Sequence, residues 1–387
     1  QTLNAQGAAN ADLAAIRASA LAAQAVAGDP KLHALLIATR NQGASDLHVA
    51  VGQPPLIRLA KDLVRAQGDA LSSDQTRALL KEVLSEDQWE RLEREHQLDL
   101  CYSVPQAGRY RGNVFYDHRG YSAVFRVIPE QPPTINELGL PAHLAEIADY
   151  HQGIVIVCGP TGSGKSTTLA ALVNIFNETR NDHIITLEDP IEFVHPFKNC
   201  LINQREVGPH TESYARALRA ALREDPDVIV IGELRDNESV ALALTAAETG
   251  HIVLGTLSST SAAKAIDRII SSFPVDEQPQ IRASLSESLK FVIAQRLIPG
   301  KGKRQVAAFE VLRGTSTIAN MIRDEKTFQI YSAMQIGRSV GMQTFDEALR
   351  DLVRREQITP EAAYLAALKK EDFEPMVSAE FLNASEV

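Results

Sequence analysis

The chain has 387 residues, of which 44% are hydrophobic, 23% charged and 5% aromatic, and its formal net charge is −10. That length holds two or three domains with cores of their own, while so acidic a balance and so few rings exclude a protein whose main task is to coat DNA or RNA. Three cysteines (Cys101, Cys158 and Cys200) are too few for a disulfide scaffold or a four-cysteine zinc site, and no apolar run reaches the ~18 residues needed to span a bilayer, so a cytoplasmic protein is expected.

Residues 1–31 form an alanine-rich extension, expected to be a loosely attached helix or a disordered arm, and Gly28-Asp29-Pro30 breaks the chain after it. Residues 32–129 read as a small α+β domain. Leu32, Leu35, Leu36 and Thr39 carry a helical period, Asp46 to Val51 alternates like a strand, and the stretch from Ser72 to His96 is helical by period. A strand-rich run follows, with Gly108 to Phe115 and Ala123 to Ile128. Residues 130–140, opening on Glu130-Gln131-Pro132-Pro133, read as a stiff linker. From 141 to 370 the pattern is α/β: Ile154 to Cys158, Ile184 to Leu187 and Val228 to Ile231 are short, β-branched, uninterrupted apolar runs, as in parallel strands buried on both faces. Beyond about Ala307 helical segments are expected, including an amphipathic one from Phe345 to Glu356, and residues 371–387 read as a tail.

The chemistry concentrates at the ends of those apolar strands. Gly159-Pro160-Thr161-Gly162-Ser163-Gly164-Lys165-Ser166-Thr167 directly follows the Ile154 run and fits G-x-x-x-x-G-K-[ST]. Its glycines let successive N–H groups turn toward phosphate oxygens, Lys165 adds a cation, the Ser166 hydroxyl can take Mg²⁺, and the next helix favours anions at its start. A nucleoside triphosphate site is therefore expected. The Val228 run ends in Gly232-Glu233, which makes Glu233 the candidate to orient or deprotonate the attacking water, with Gly232 where an aspartate is usual. The Ile184 run ends in Glu188-Asp189-Pro190, two carboxylates suited to a Mg²⁺ or water-positioning shell.

These motifs, in this order, resemble the type IV pilus and type II/IV secretion ATPase family. The match extends to Ser45-Asp46-Leu47-His48, Thr245 to His251, Gly255-Thr256-Leu257, Ala294-Gln295-Arg296-Leu297 and Gly341-Met342-Gln343-Thr344, and so spans about residues 32 to 370. Asn203 to Val207, Ala220 to Asp227, Gly232 to Asp236 and Leu285 to Leu289 are similar to the pilus-retraction, or twitching-motility, branch. The resemblance implies a PAS-like front domain, then a RecA-like ATPase domain with a helical C-terminal part. It implies phosphate and Mg²⁺ binding by Lys165, Ser166 and Thr167, an Asp box of Glu188 and Asp189, Glu233 as catalytic glutamate, and His251 as the first histidine of a His box. It gives Arg111, Arg119 and Arg126 contacts with phosphates. It also implies a homo-hexamer that works ATP and Mg²⁺ on the cytoplasmic side of the inner membrane. A pilus platform protein and a related motor ATPase are its implied partners.

Two positions depart from the family wording. The second His-box histidine is Ser258, although the chain has ten histidines elsewhere, and a retraction-branch arginine near the C-terminus is Ala319. Serine supplies no cation. An accessory paralogue of low turnover is therefore an alternative to a retraction motor. An assembly or secretion ATPase is another, although the four-cysteine zinc insertion common in that branch is missing. A nucleic-acid translocase is disfavoured by the acidic balance.

Overall fold

A computed structural model describes residues 32–59, 62–66, 68–105, 107–129, 131–303, 305–378 and 380–382, and the alanine-rich extension lies outside them. The chain divides into two units, the first running to residue 130 and the second starting at 131.

In the first unit α1 (Leu32–Asn41) precedes β1 (Asp46–Val49), β2 (Leu56–Leu59) and β3 (Asp62–Arg65). Then come α2 (Ser73–Lys81), α3 (Glu86–Glu95), β4 (Gln97–Val104), β5 (Gly108–Asp117) and β6 (Gly120–Val127). The strands form one antiparallel sheet in the order β3-β2-β1-β6-β5-β4. Period-two alternation decides its faces. Tyr110, Gly112 and Val114 of β5 point inward, and Leu35, Leu80, Trp89 and Leu92 of the helices close over them together with Leu47 and Phe125. The stretch expected to be helical from Ser72 to His96 holds two helices. Ser72 and Ser85 each cap a helix, exchanging bonds with Gln75 and Gln88 three residues on, and the second cap stops the first helix from running through. A side-chain cap of this kind is worth about 1 kcal/mol.

The second unit begins, after a short 3₁₀ segment, with β7 (Gly153–Cys158) and α4 (Lys165–Thr179). It continues through β8 (His183–Glu188), β9 (Leu201–Glu206), α5 (Tyr214–Ala221), β10 (Val228–Ile231), α6 (Asn237–Glu248) and β11 (Ile252–Leu257). Next are α7 (Ala262–Ser271), α8 (Gln278–Ser288), β12 (Leu289–Pro299) and β13 (Gln305–Arg313). The last helices are α9 (Ser316–Arg323), α10 (Ile330–Ile336), α11 (Phe345–Arg354) and α12 (Pro360–Ala366). The sheet order is β13-β12-β7-β11-β10-β8-β9, parallel except for the β12–β13 pair. Every residue of β7, β10 and β11 is buried. Ile154, Ile156 and Cys158 feed a core shared with Leu218, Leu244 and Ile266, while Val155 and Val157 feed the opposite one with Leu169, Leu172 and Phe176. Helices thus cover both faces of the parallel sheet, which is why these strands read as unbroken apolar runs. Truncating a residue such as Leu172, fully buried, to alanine costs about 2–5 kcal/mol.

The expectation of helical segments beyond about Ala307 is corrected at its start by β13, and the helices begin at Ser316. Two adjacent alanines, Ala307 and Ala308, favour helix locally, but Gln305 to Arg313 completes a ladder with β12 and buries Phe309, Val311 and Leu312. A smaller core, with Phe345, Leu349, Ile358, Tyr364 and Phe373, docks the terminal helices onto Ile298 and Ala308. Among the described residues no helix is long and apolar enough to cross a membrane.

Candidate nucleotide site

Because β7, β11, β10 and β8 run parallel, their C-terminal ends reach one edge of the sheet, where ligands of open α/β folds bind. Cys158 stands level with Leu257, and Ile231 stands level with Gly255 and Leu187. The segments that leave these strands therefore meet at this edge.

After β7 the chain enters the 159–164 loop. Gly162 and Gly164 have φ of 77° and 90°, a left-handed conformation that a side chain would disfavour. Gly164 is the N-cap of α4 and brings no side-chain hydrogen bond to it, and the first turn holds no acidic residue. The N–H groups that open this 15-residue helix are thus left for an anion. Lys165 lies alongside, with Nζ donating to the Gly159 and Pro160 carbonyls at 3.1 Å each. Burial lowers the pKa of its ammonium, and the Glu233 charge works in the other direction. Ser166 is exposed at the start of the helix, Thr167 half-buried and Thr161 exposed.

After β10 the chain passes Gly232 to Glu233. Arg235 Nε donates to Glu233 Oε2 at 2.7 Å, and Ser258 Oγ donates to Oε1 at 3.2 Å. Burial opposes ionisation of Glu233, but Arg235, Ser258 and Lys165 together hold its carboxyl below the ordinary range. It is a carboxylate at neutral pH. Arg235 also reaches Asp189 Oδ2 at 3.5 Å, and so joins the end of β10 to that of β8. Sequence reasoning gave Arg235 no role; its place two residues after Glu233 was the available signal.

Glu188 is turned into the sheet. It accepts hydrogen bonds from Thr186 Oγ1 at 2.6 Å and Gln204 Nε2 at 3.0 Å, and burial pushes its pKa up. Asp189 is exposed, at the same edge. Ser166 and Asp189 offer hard oxygen donors, which fits Mg²⁺, an ion that takes one or two protein ligands beside phosphate oxygens. Among the described residues no group of three carboxylate, histidine or cysteine side chains forms a metal cage by itself.

The structure does not bring His251 to this edge. The residue precedes β11, its carbonyl accepts from Gly153 N at the start of β7, and its Nδ1 lies 3.1 Å from the Ala246 carbonyl. The length of β11, ~20 Å at 3.3 Å per residue, separates it from the loop. Ser258, at the other end of the same strand, is the residue in contact with Glu233.

The three arginines stand in the first unit. Arg111 and Arg126 are cross-strand partners on the outer face of the sheet, and Arg126 Nε is 2.9 Å from Asp46 on β1. Arg119 is exposed in the β5–β6 turn, with its backbone N–H on Asp117.

The type II/IV secretion system protein family model matches residues 32–356. The chain belongs to that family. It is 49% identical over 339 residues to the "Type IV pilus retractation ATPase PilT" of Pseudomonas aeruginosa, covering 88% of this chain and 98% of that one. To the "Type IV pilus ATPase PilU" of the same organism it is 39% identical, covering 87% and 88%. The crystal structure of "the Pilus Retraction Motor PilT and Bound ADP" superposes with a TM-score of 0.83 at 42% identity, over 89% of this chain and 99% of that one. The fold of this family member is accordingly a P-loop ATPase unit of RecA-like type preceded by a smaller α+β unit.

Proposed function

We propose that this chain is an ATP-hydrolysing motor that drives type IV pilus retraction. One observation carries the chemistry: a glycine loop with its lysine and a carboxylate base, Glu233, meet at one sheet edge. The likeness to PilT over nearly that protein's full length supplies the purpose. ATP is the substrate. The 159–164 loop, the first turn of α4 and Lys165 bind its phosphates, with Ser166 and Thr167 adding hydroxyls. Glu233 takes the proton of the water that attacks the terminal phosphorus, as the bond to the β-phosphate oxygen breaks and ADP leaves. Ser166 and Asp189, with Glu188 behind them, would hold Mg²⁺, which supplies charge neutralisation on the phosphates. Arg235 and Ser258 orient Glu233. Arg111, Arg119 and Arg126 keep the phosphate role that the family resemblance assigns them. The reading includes a hexamer acting at the cytoplasmic face of the inner membrane with a platform protein.

A specific observation favours a second reading. Where the family carries a histidine, the neutral Ser258 hydroxyl touches Glu233, as would suit a motor of low turnover that assists another. Pilus counts and twitching assays on a deletion strain separate the readings. Excess pili without twitching is expected for a retraction motor, restored by wild type and not by Glu233→Gln. Loss of pili would point to assembly, and unchanged pili with unchanged twitching would contradict a principal motor.

A further inference from the structure

We propose that Gln295 is a positioning residue of the nucleotide loop, holding the Ser163–Gly164 peptide so that its N–H faces the phosphates. The inference rests on the nucleotide site proposed above and adds to it a residue on a strand that carries none of the sequence motifs of phosphate binding.

Strand β12 runs parallel to β7, with Ala294 level with Cys158, so the next residue, Gln295, lies level with the start of the loop. The residue is 2% exposed, and its Nε2 donates to the Ser163 carbonyl at 2.6 Å. A peptide group is planar and trans, so its C=O and N–H point in opposite directions. Drawing the Ser163 carbonyl down onto β12 therefore aims the Gly164 N–H away from β12, to the side where an anion would bind. Two glycines of the loop, Gly159 at its start and Gly164 at its end, approach the same residue. A Cβ at Gly159 would lie 2.5 Å from the Gln295 carbonyl, and one at Gly164 would lie 3.3 Å from Gln295 Nε2. Loop and strand thus fit through backbone contact, and one side-chain amide sets the orientation of the peptide between them.

The neighbouring residue extends the contact. Arg296 stacks on the Phe345 ring, 4.2 Å from its centroid, and donates to the Thr260 carbonyl at 3.2 Å, two residues beyond Ser258. Consecutive residues of β12 therefore reach the loop floor on one side, and the Ser258 segment and α11 on the other.

Gln295 Oε1 is buried without a hydrogen-bond partner. Replacing glutamine by methionine, of similar length, removes that orphan acceptor together with the donor, so the two effects on folding oppose each other. ADP titration by calorimetry of the full-length wild type, Gln295→Met and Gln295→Glu gives the test, with the melting temperature of each nucleotide-free protein and the KM and kcat for ATP. A positioning role predicts a Kd for ADP and a KM for ATP about tenfold higher in both variants. It also predicts a kcat within about twofold of wild type and little change in the melting of Gln295→Met. A folded variant with wild-type Kd and KM overturns the inference, even if its melting temperature falls, because that is the mark of packing alone. If Gln295→Met does not fold, Gln295→Glu decides by the same criterion. A wild type that binds no ADP would instead overturn the nucleotide reading itself.

Discussion

A Cβ at position 232 would stand 3.0 Å from Tyr214 Oη, 3.2 Å from the Leu187 carbonyl and 3.3 Å from Glu188 Cα. Two of those neighbours are backbone and cannot step aside. Gly232 therefore occupies the usual aspartate position because β10 and β8 close tightly there, and Asp189, at the end of β8, offers a carboxylate at the same edge. Installing the usual residue should harm the protein. Gly232→Asp is expected to destabilise it by about 1–3 kcal/mol through overpacking, read as a lower melting temperature, and not to raise ATP turnover. A faster enzyme of unchanged stability would contradict the steric argument. At this scale the positions of Lys165, Ser166 and Glu233 at one sheet edge were legible because each position depends on neighbours in the chain: a glycine loop before it or an apolar strand ending beside it. Arg235 and Gln295 were not: the partner of Gln295 lies 132 residues away and is brought to it by register, and Arg235 ties its neighbour Glu233 to Asp189 at the end of a different strand. His251 was misplaced for the related reason that a motif does not say at which end of its strand it stands.

At the scale of elements, the apolar runs of β7, β8 and β10 announced themselves, whereas β9 and β13 did not. Leu201 is exposed and Asn203, Gln204 and Arg205 are polar, so β9 carries no apolar run, and its pairing with β8 supplies what its composition lacks. The segment joining β8 to β9 is fastened from within. His195 N donates to Gln204 Oε1 at 2.9 Å, and Gln204 Nε2 donates to the Phe193 carbonyl at 2.7 Å. The His195 imidazole is buried, and burial pushes its pKa down to about 4. The sign comes from linkage. The folded state keeps this ring neutral while the unfolded chain takes up a proton near pH 6.5, so the stability it contributes is present above that pH. It is lost as the pH falls toward the folded value. Between pH 6.5 and 5 the loss should be about 1.5 kcal/mol. Urea denaturation of wild type and His195→Phe at both pH values measures it, and the variant should lose less. An equal loss in both would show that other groups carry the acid sensitivity.

For the whole molecule, the two units were foreshadowed by the change from mixed alternation to unbroken apolar strands near residue 135. The first is an antiparallel sheet with helices on one face; the second is a parallel sheet covered on both. The charge of −10 gains meaning in that setting. On an acidic molecule, the sheet edge sets two cations, Lys165 and Arg235, beside the carboxylates of Glu233 and Asp189, and the open first turn of α4 adds a positive helix end. The central claim is that this edge binds ATP and that Glu233 activates water there. Measuring ATP affinity and Mg²⁺-dependent turnover in Glu233→Gln and Lys165→Ala tests it most directly. The account predicts that Glu233→Gln binds ATP as wild type does while its turnover falls by ~10²–10⁴, and that Lys165→Ala loses binding. Turnover by Glu233→Gln at the wild-type rate would contradict it.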